Sequence, residues 1–222
     1  MDFDYSTPRL KICCIQNLAE VQTALNYGAS AVGLVSRMPS GPGVISDDQI
    51  SQIAQALPPG ISSVLLTAAT DADKIIAQQH QLKVNTIQLV DRQTAACHIA
   101  LRASLPGIKL IQVVHITGEE AFEEAMNLSS RVDALLLDSG NPKAAVKELG
   151  GTARTHNWTI SRRIVEFSSL PVFLAGGLHP GNVAQAIATV HPFGVDVCSG
   201  IRRAGFLDKE LLQQFADNIR NV

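Results

Sequence analysis

The chain has 222 residues, 46% hydrophobic and 17% charged, with a formal net charge of -2, so it can bury one sizeable core and is too apolar to be a disordered chain. Lys and Arg are scattered without a run of four or more, which leaves no footprint for nucleic acid or an anionic membrane. The longest apolar runs, such as Ala134 to Leu137 and Pro171 to Ala175, are far too short to cross a bilayer, and the acidic start Met1 to Pro8 lacks the parts of a signal peptide, which predicts a cytoplasmic protein.

Residues 1–222 read as a single domain, with 1–8 an N-terminal extension. The first β-rich run is Leu10 to Cys14, and a helix pattern from Leu18 to Tyr27 follows, stopped by Gly28. A second run, Ala31 to Val35, enters a Pro/Gly-rich loop from Met38 to Gly43 that is long for a scaffold connection and suits a part in a site. Ser46-Asp47-Asp48-Gln49 then reads as a helix cap with Gln49 in the capping-box position. Further strands are expected at Ser63 to Thr67, Thr86 to Leu89, Ile108 to Val113, Val132 to Leu137, Val172 to Ala175 and Val195 to Cys198. Helices are expected at Asp71 to His80, Thr94 to Ala103, Glu119 to Leu128, Ser161 to Phe167, Gly181 to Val190 and Leu207 to Ile219. This alternation argues for parallel strands joined by right-handed crossovers. Eight such units favour a closed (β/α)8 TIM barrel, although an open doubly wound sheet generates the same local signal.

In a barrel the chemistry belongs at the C-terminal ends of the strands. Cys13 and Cys14 close the first run and cannot both face inward while the strand stays regular. A buried thiol alone is more often a small hydrophobe than a catalyst. Asp138 follows the apolar run Ala134 to Leu137, where a carboxylate is usable only at the wet mouth; capping of the next turn is the plainer alternative. Gly176-Gly177 closes the seventh strand and Ser199-Gly200 the eighth, and turns without side chains there would let backbone N–H groups approach phosphate. Gly151-Thr152, after the sixth strand, offers a further anion-contacting loop, whereas Trp158 beyond it reads as an anchor. Six histidines are dispersed, no metal-ligand spacing occurs, and the four cysteines form neither a C-x-x-C pattern nor a disulfide scaffold, so reduced thiols are expected. Dinucleotide, P-loop and nucleophile-elbow motifs are all missing.

Several pieces recur in a recognisable order: Lys11-Ile12-Cys13, Leu136-Leu137-Asp138, Gly150-Gly151-Thr152, Pro171 to Leu178, Pro180-Gly181-Asn182-Val183 and Gly194 to Ile201. From Arg9 to Val222 the chain resembles the phosphoribosylanthranilate isomerase family of tryptophan biosynthesis. The resemblance implies a TIM barrel performing an Amadori rearrangement on a phosphorylated small molecule, with Cys13 as general base, Asp138 as general acid, and no cofactor or metal. Monomer and homo-oligomer both stay open. The departures cluster at the aromatic-acid end: Cys14 stands where the family has Gly, Gly43 where it has the carboxylate-binding Arg, Val90 where it has His, and His156-Asn157-Trp158 where it has Phe-Asp-Trp. Arg37 is the candidate to replace the lost clamp. A divergent phosphosugar-handling enzyme and a non-catalytic phosphate-binding module are the alternatives.

Overall fold

Strands that are apolar along both faces are stable only when both faces are covered. In the computed structural model, which describes residues 7–140 and 155–222, that cover is a ring of helices around a closed barrel. The barrel strands are β1 (Arg9–Ile12), β2 (Ala29–Val35), β3 (Ser62–Thr67), β4 (Thr86–Leu89), β5 (Lys109–His115), β6 (Ala134–Asp138), β7 (Val172–Leu174) and β8 (Gly194–Val197). Neighbours are parallel throughout, and β8 returns to pair with β1, Lys11 opposite Asp196. Between the strands run α1 (Leu18–Asn26), α2 (Asp47–Ala56), α3 (Ala72–Leu82), α4 (Ala95–Ser104), α5 (Glu120–Asn127), α6 (Trp158–Phe167) and α7 (Val183–Val190), with α8 (Lys209–Arg220) last. A small hairpin of β9 (Arg202–Arg203) and β10 (Phe206–Leu207) lies between β8 and α8. Among the described residues no helix is long and apolar enough to cross a membrane.

The period-2 alternation of each strand divides the core in two. Ile12, Leu34, Leu65, Leu89, Val114, Leu135, Leu174 and Val197 point outward and pack with Ile50, Ile53, Leu101 and Phe215 of the helices. Ala31, Val64, Leu66, Ile111, Val113, Leu136 and Phe173 point inward and fill the barrel. The filled interior is a plug, so a ligand has access only above the last inward layer.

Among the described residues, side-chain caps fix where six of the eight α-helices begin. Asn17, Ser46, Asp71, Thr94, Asn157 and Asp208 each accept a backbone N–H from the first turn, each worth about 1 kcal/mol. At Ser46 the capping box is complete, Ser46 N donating to Gln49 Oε1 and Gln49 N to Ser46 Oγ. The cap at Asn157, whose Oδ1 accepts from Thr159 N at 2.9 Å, starts α6 three residues before Ser161, the expected first residue. Asn182 is instead occupied with the preceding turn, accepting from His179 N at 2.8 Å, and α7 begins at Val183 rather than Gly181.

Candidate active site

The chain leaves β1 at Ile12, and Cys14 adopts the left-handed φ of 63°. Regular alternation ends there, and Cys13 and Cys14 both line one cavity at the C-terminal mouth. The expectation of reduced thiols is corrected for two of the four: Cys14 and Cys198 form a disulfide, while Cys13 and Cys97 are free. The partners are 184 residues apart in sequence but follow strands that barrel closure makes neighbours. Cys14 also accounts for Gly43. At φ 80°, a β-carbon on Gly43 would lie 2.4 Å from the Cys14 β-carbon, so a side chain at either position excludes one at the other in this backbone.

Arg202 clamps the same loop. Its guanidinium forms a bidentate pair with Glu20, both contacts 2.9 Å, and donates to the carbonyl of Cys14. Burial pushes the Glu20 carboxyl up, but the Arg202 hydrogen bonds and charge outweigh it and hold its pKa below the usual value. Arg202 is therefore committed to holding β1 and β8 loops together.

Asp138 ends β6 inside the strand, one residue later than the expected strand end, and is 8% exposed. Its Oδ1 accepts from Ser139 N at 2.7 Å. Burial nevertheless raises its pKa above the ordinary carboxyl value, the Ser139 N–H and the nearby His115 opposing that rise. His115 is the register partner of Asp138 on β5, and its Nε2 lies 3.1 Å from the carbonyl of Val90, which makes Nε2 the protonated nitrogen. Against Asp138 stands Gly176, with φ 79°; a β-carbon there would sit 2.8 Å from Ser139 N and 3.0 Å from Asp138 Oδ1. The glycine lets the turn after β7 close onto the carboxyl from the side.

Below the mouth, Lys11 is fully buried and donates to Asp196 Oδ1 at 2.8 Å. Burial works against this ammonium, yet Asp196, Cys13 and Asp138 together raise its pKa, so it stays charged. Burial pushes the Cys13 thiol up to about 11, with Lys11 pulling the other way.

The cavity encloses about 700 Å³ of empty space, part of it open to solvent. It brings together Cys13, Asp138, Gly176, Gly177 and Ser199 of the expected site residues. Gly200 is beside it without lining it and packs under the Leu178 carbonyl, which a β-carbon would meet at 1.9 Å. Arg37 is exposed and lines a separate groove with Asp47 and Lys74. Gly151 and Thr152 lie outside the described residues. Among the described residues that line the cavity there is no Lys or Arg side chain, and Val90 is one of its apolar lining residues. Sequence reasoning missed Asp196 and Gln88, which also line it, and the burial of Lys11. A charged residue within each of the apolar runs Leu10 to Ile12 and Val195 to Val197 was the available signal. Among the described residues no group of three or more His, Cys, Asp or Glu is placed to hold a metal.

The barrel places a thiol and a carboxyl at the ends of β1 and β6, and bare glycine backbone at the end of β7, around one cavity at the C-terminal mouth, an arrangement that can hold a small molecule and move protons on it. Its class is that of the TIM-barrel isomerases. The family can be stated more narrowly: residues 10–218 match the model of N-(5′-phosphoribosyl)anthranilate isomerase, and the chain belongs to that family. N-(5′-phosphoribosyl)anthranilate isomerase 2 of Methanosarcina mazei is 37% identical over 215 residues, 96% of this chain and 94% of the relative. The Microcystis aeruginosa enzyme is 34% identical, over 94% of this chain and 99% of its own. Phosphoribosylanthranilate isomerase from Thermotoga maritima superposes with a TM-score of 0.81 at 29% identity, covering 97% of this chain and all of its own. A phosphoribosylanthranilate isomerase solved with reduced 1-(o-carboxyphenylamino)-1-deoxyribulose 5-phosphate gives 0.79 at 28% identity, with the same coverage.

Proposed function

We propose that the protein is the isomerase of tryptophan biosynthesis that converts phosphoribosylanthranilate to its ribulose-phosphate product, with Asp138 as general acid and Cys13 as general base. The observation that carries the reading is that both side chains line one cavity, from β6 and from the end of β1. In this mechanism Asp138 gives its proton to the ribose-ring oxygen, the C1′–O bond breaks, and a protonated imine forms between C1′ and the anthranilate nitrogen. The Cys13 thiolate then removes the C2′ proton, and the C2′–H electron pair becomes the C1′–C2′ double bond of an enolamine. Transfer of a proton to C1′ and loss of the C2′ hydroxyl proton give the ketone, with no net gain or loss of atoms.

The environment favours the form needed of Asp138 and opposes the form needed of Cys13. Desolvation, which raises the Asp138 pKa, favours the protonated form an acid needs. Cys13 needs the opposite form, and its raised pKa makes the thiolate a minority species near neutral pH. The phosphate is assigned to backbone N–H groups of Gly176-Gly177 and Ser199, which line the cavity at the ends of β7 and β8, with Gly200 packed beside them. The phosphate and carboxyphenyl ends of the ligand bound to the family relative support a substrate with those two ends.

The test is turnover. Purified protein supplied with phosphoribosylanthranilate is expected to form the ribulose-phosphate product. A folded protein that binds inorganic phosphate yet forms no product at saturating substrate contradicts the reading and returns a non-catalytic phosphate-binding module.

A further inference from the structure

A buried ion pair is a weak source of stability, since removing two charges from water costs about what their attraction returns. The Lys11–Asp196 pair, buried inside a mostly apolar barrel, therefore calls for a task. Lys11 and Cys13 are two residues apart and both point inward, the thiol one layer nearer the mouth. On the neighbouring strand β2 the residue beside them is Gly33. A β-carbon built there would lie 2.9 Å from Cys13 Sγ and 3.2 Å from Lys11 Nζ, so the thiol and the ammonium are at most about 6 Å apart, with no β2 side chain between them.

We propose that Lys11 is a positioning residue for the base: its ammonium, oriented by Asp196, acts across the gap left by Gly33 to stabilise the thiolate of Cys13. The inference rests on Cys13 being the base. The charged groups facing the thiol are Lys11 on its own strand, Asp196 on β8 and Asp138 on β6. Burial and the Asp196 carboxylate favour the neutral thiol, as does Asp138 whenever it is ionised, and Lys11 is the cation that opposes them. At about 6 Å and an effective dielectric constant of about 20, a unit charge moves a pKa by about two units, less whatever Asp196 cancels. Loss of the ammonium is thus expected to reduce the thiolate fraction about tenfold or more at any pH below the thiol pKa.

Alkylation reads that fraction without needing turnover, because iodoacetamide reacts with the thiolate. The folded full chain is treated at one fixed alkaline pH, and the rates at Cys13 and at Cys97 are followed by peptide mass spectrometry. Cys97, the other free thiol, is the internal control. Lys11→Gln, which keeps a donor for Asp196 and loses the charge, is expected to slow Cys13 at least tenfold and to leave Cys97 unchanged; Lys11→Arg is expected to restore the Cys13 rate to within about threefold. Should Lys11→Gln not fold, Lys11→Met/Asp196→Asn is compared with Asp196→Asn alone, so that the carboxylate is absent from both, and Cys13 is again expected to react more slowly in the variant without the lysine. Cys13 reacting at the unmodified rate overturns the proposal, and so does an equal change at both thiols. A protein that forms no product but shows the selective loss at Cys13 retains the Lys11 effect and loses the isomerase reading.

Discussion

Replacing Gly176 by Ala tests how the acid is held. The substitution adds a single β-carbon at a residue with φ 79°, 2.8 Å from Ser139 N, 2.8 Å from Ser139 Oγ and 3.0 Å from Asp138 Oδ1. The left-handed conformation costs a residue with a β-carbon about 1–2 kcal/mol. The contacts require the Ser139 backbone to retreat by about half an ångström, an overpacking cost of about 1–3 kcal/mol. Summed, the variant loses about 2–5 kcal/mol of stability, within the range that many folded domains survive. The retreat carries Asp138 with it, because Ser139 N donates to Asp138 Oδ1. A displacement of about half an ångström at a proton donor predicts a loss of about tenfold in kcat. Urea denaturation of the variant and its steady-state kinetics, measured on the folded fraction, give the two numbers. A variant as stable as the unmodified protein, with kcat within twofold, refutes the claim that the β7 turn sets the position of the acid.

Other outcomes follow from the same geometry. Cys14–Cys198 closes a loop of 184 residues, for which the chain-entropy account gives about 5 kcal/mol; reductant is expected to lower the urea midpoint of the unmodified protein and leave that of Cys198→Ser unmoved, and equal insensitivity in both contradicts the disulfide. Arg37 faces a separate groove, so Arg37→Ala is expected to keep KM within twofold, and a large rise in KM would return Arg37 to the site. The reaction needs Cys13 deprotonated and Asp138 protonated, so kcat/KM is expected to fall below the raised Asp138 pKa, hold level above it, and fall again near about 11, where Cys13 titrates. A decline on raising the pH that begins near neutrality, well short of about 11, contradicts that protonation scheme.

Much of the barrel was legible because its strands are short apolar runs and its helices carry local signals. The Ser46 box and the Gly28 stop depend on residues within a few positions of each other, and both are present. The small errors fall where local signals compete: Asn157 caps a helix whose apolar pattern becomes clear only at Ile160, and Asp138 extends a strand beyond its last apolar residue. The β9–β10 hairpin rests on two-residue strands around Ala204-Gly205, too short to show a period. At the candidate site, Cys13, Asp138 and Gly176-Gly177, which line one cavity, were visible as motif pieces at strand ends. Contacts made by closing the barrel were not. Lys11 meets Asp196, Cys14 meets Cys198 and Glu20 meets Arg202 only because the first strand lies beside the eighth, and nothing in a linear spacing of over 180 residues records that. Arg37 misled for a related reason: its distance along the loop from Gly43 is short, but the chain turns between them and directs the guanidinium outside the mouth.

The central claim is that Cys13 and Asp138 exchange the protons of the rearrangement, and the most direct measurement is single-turnover conversion of phosphoribosylanthranilate by Cys13→Ser and Asp138→Asn. Both substitutions keep approximate size and leave the β7 and β8 turns intact, so inorganic phosphate is expected to bind each variant as it binds the unmodified protein. Product formation is expected to slow by about 10²-fold or more in each, the usual contribution of a positioned acid or base. Conversion at the unmodified rate by either variant, with phosphate binding retained, contradicts the account.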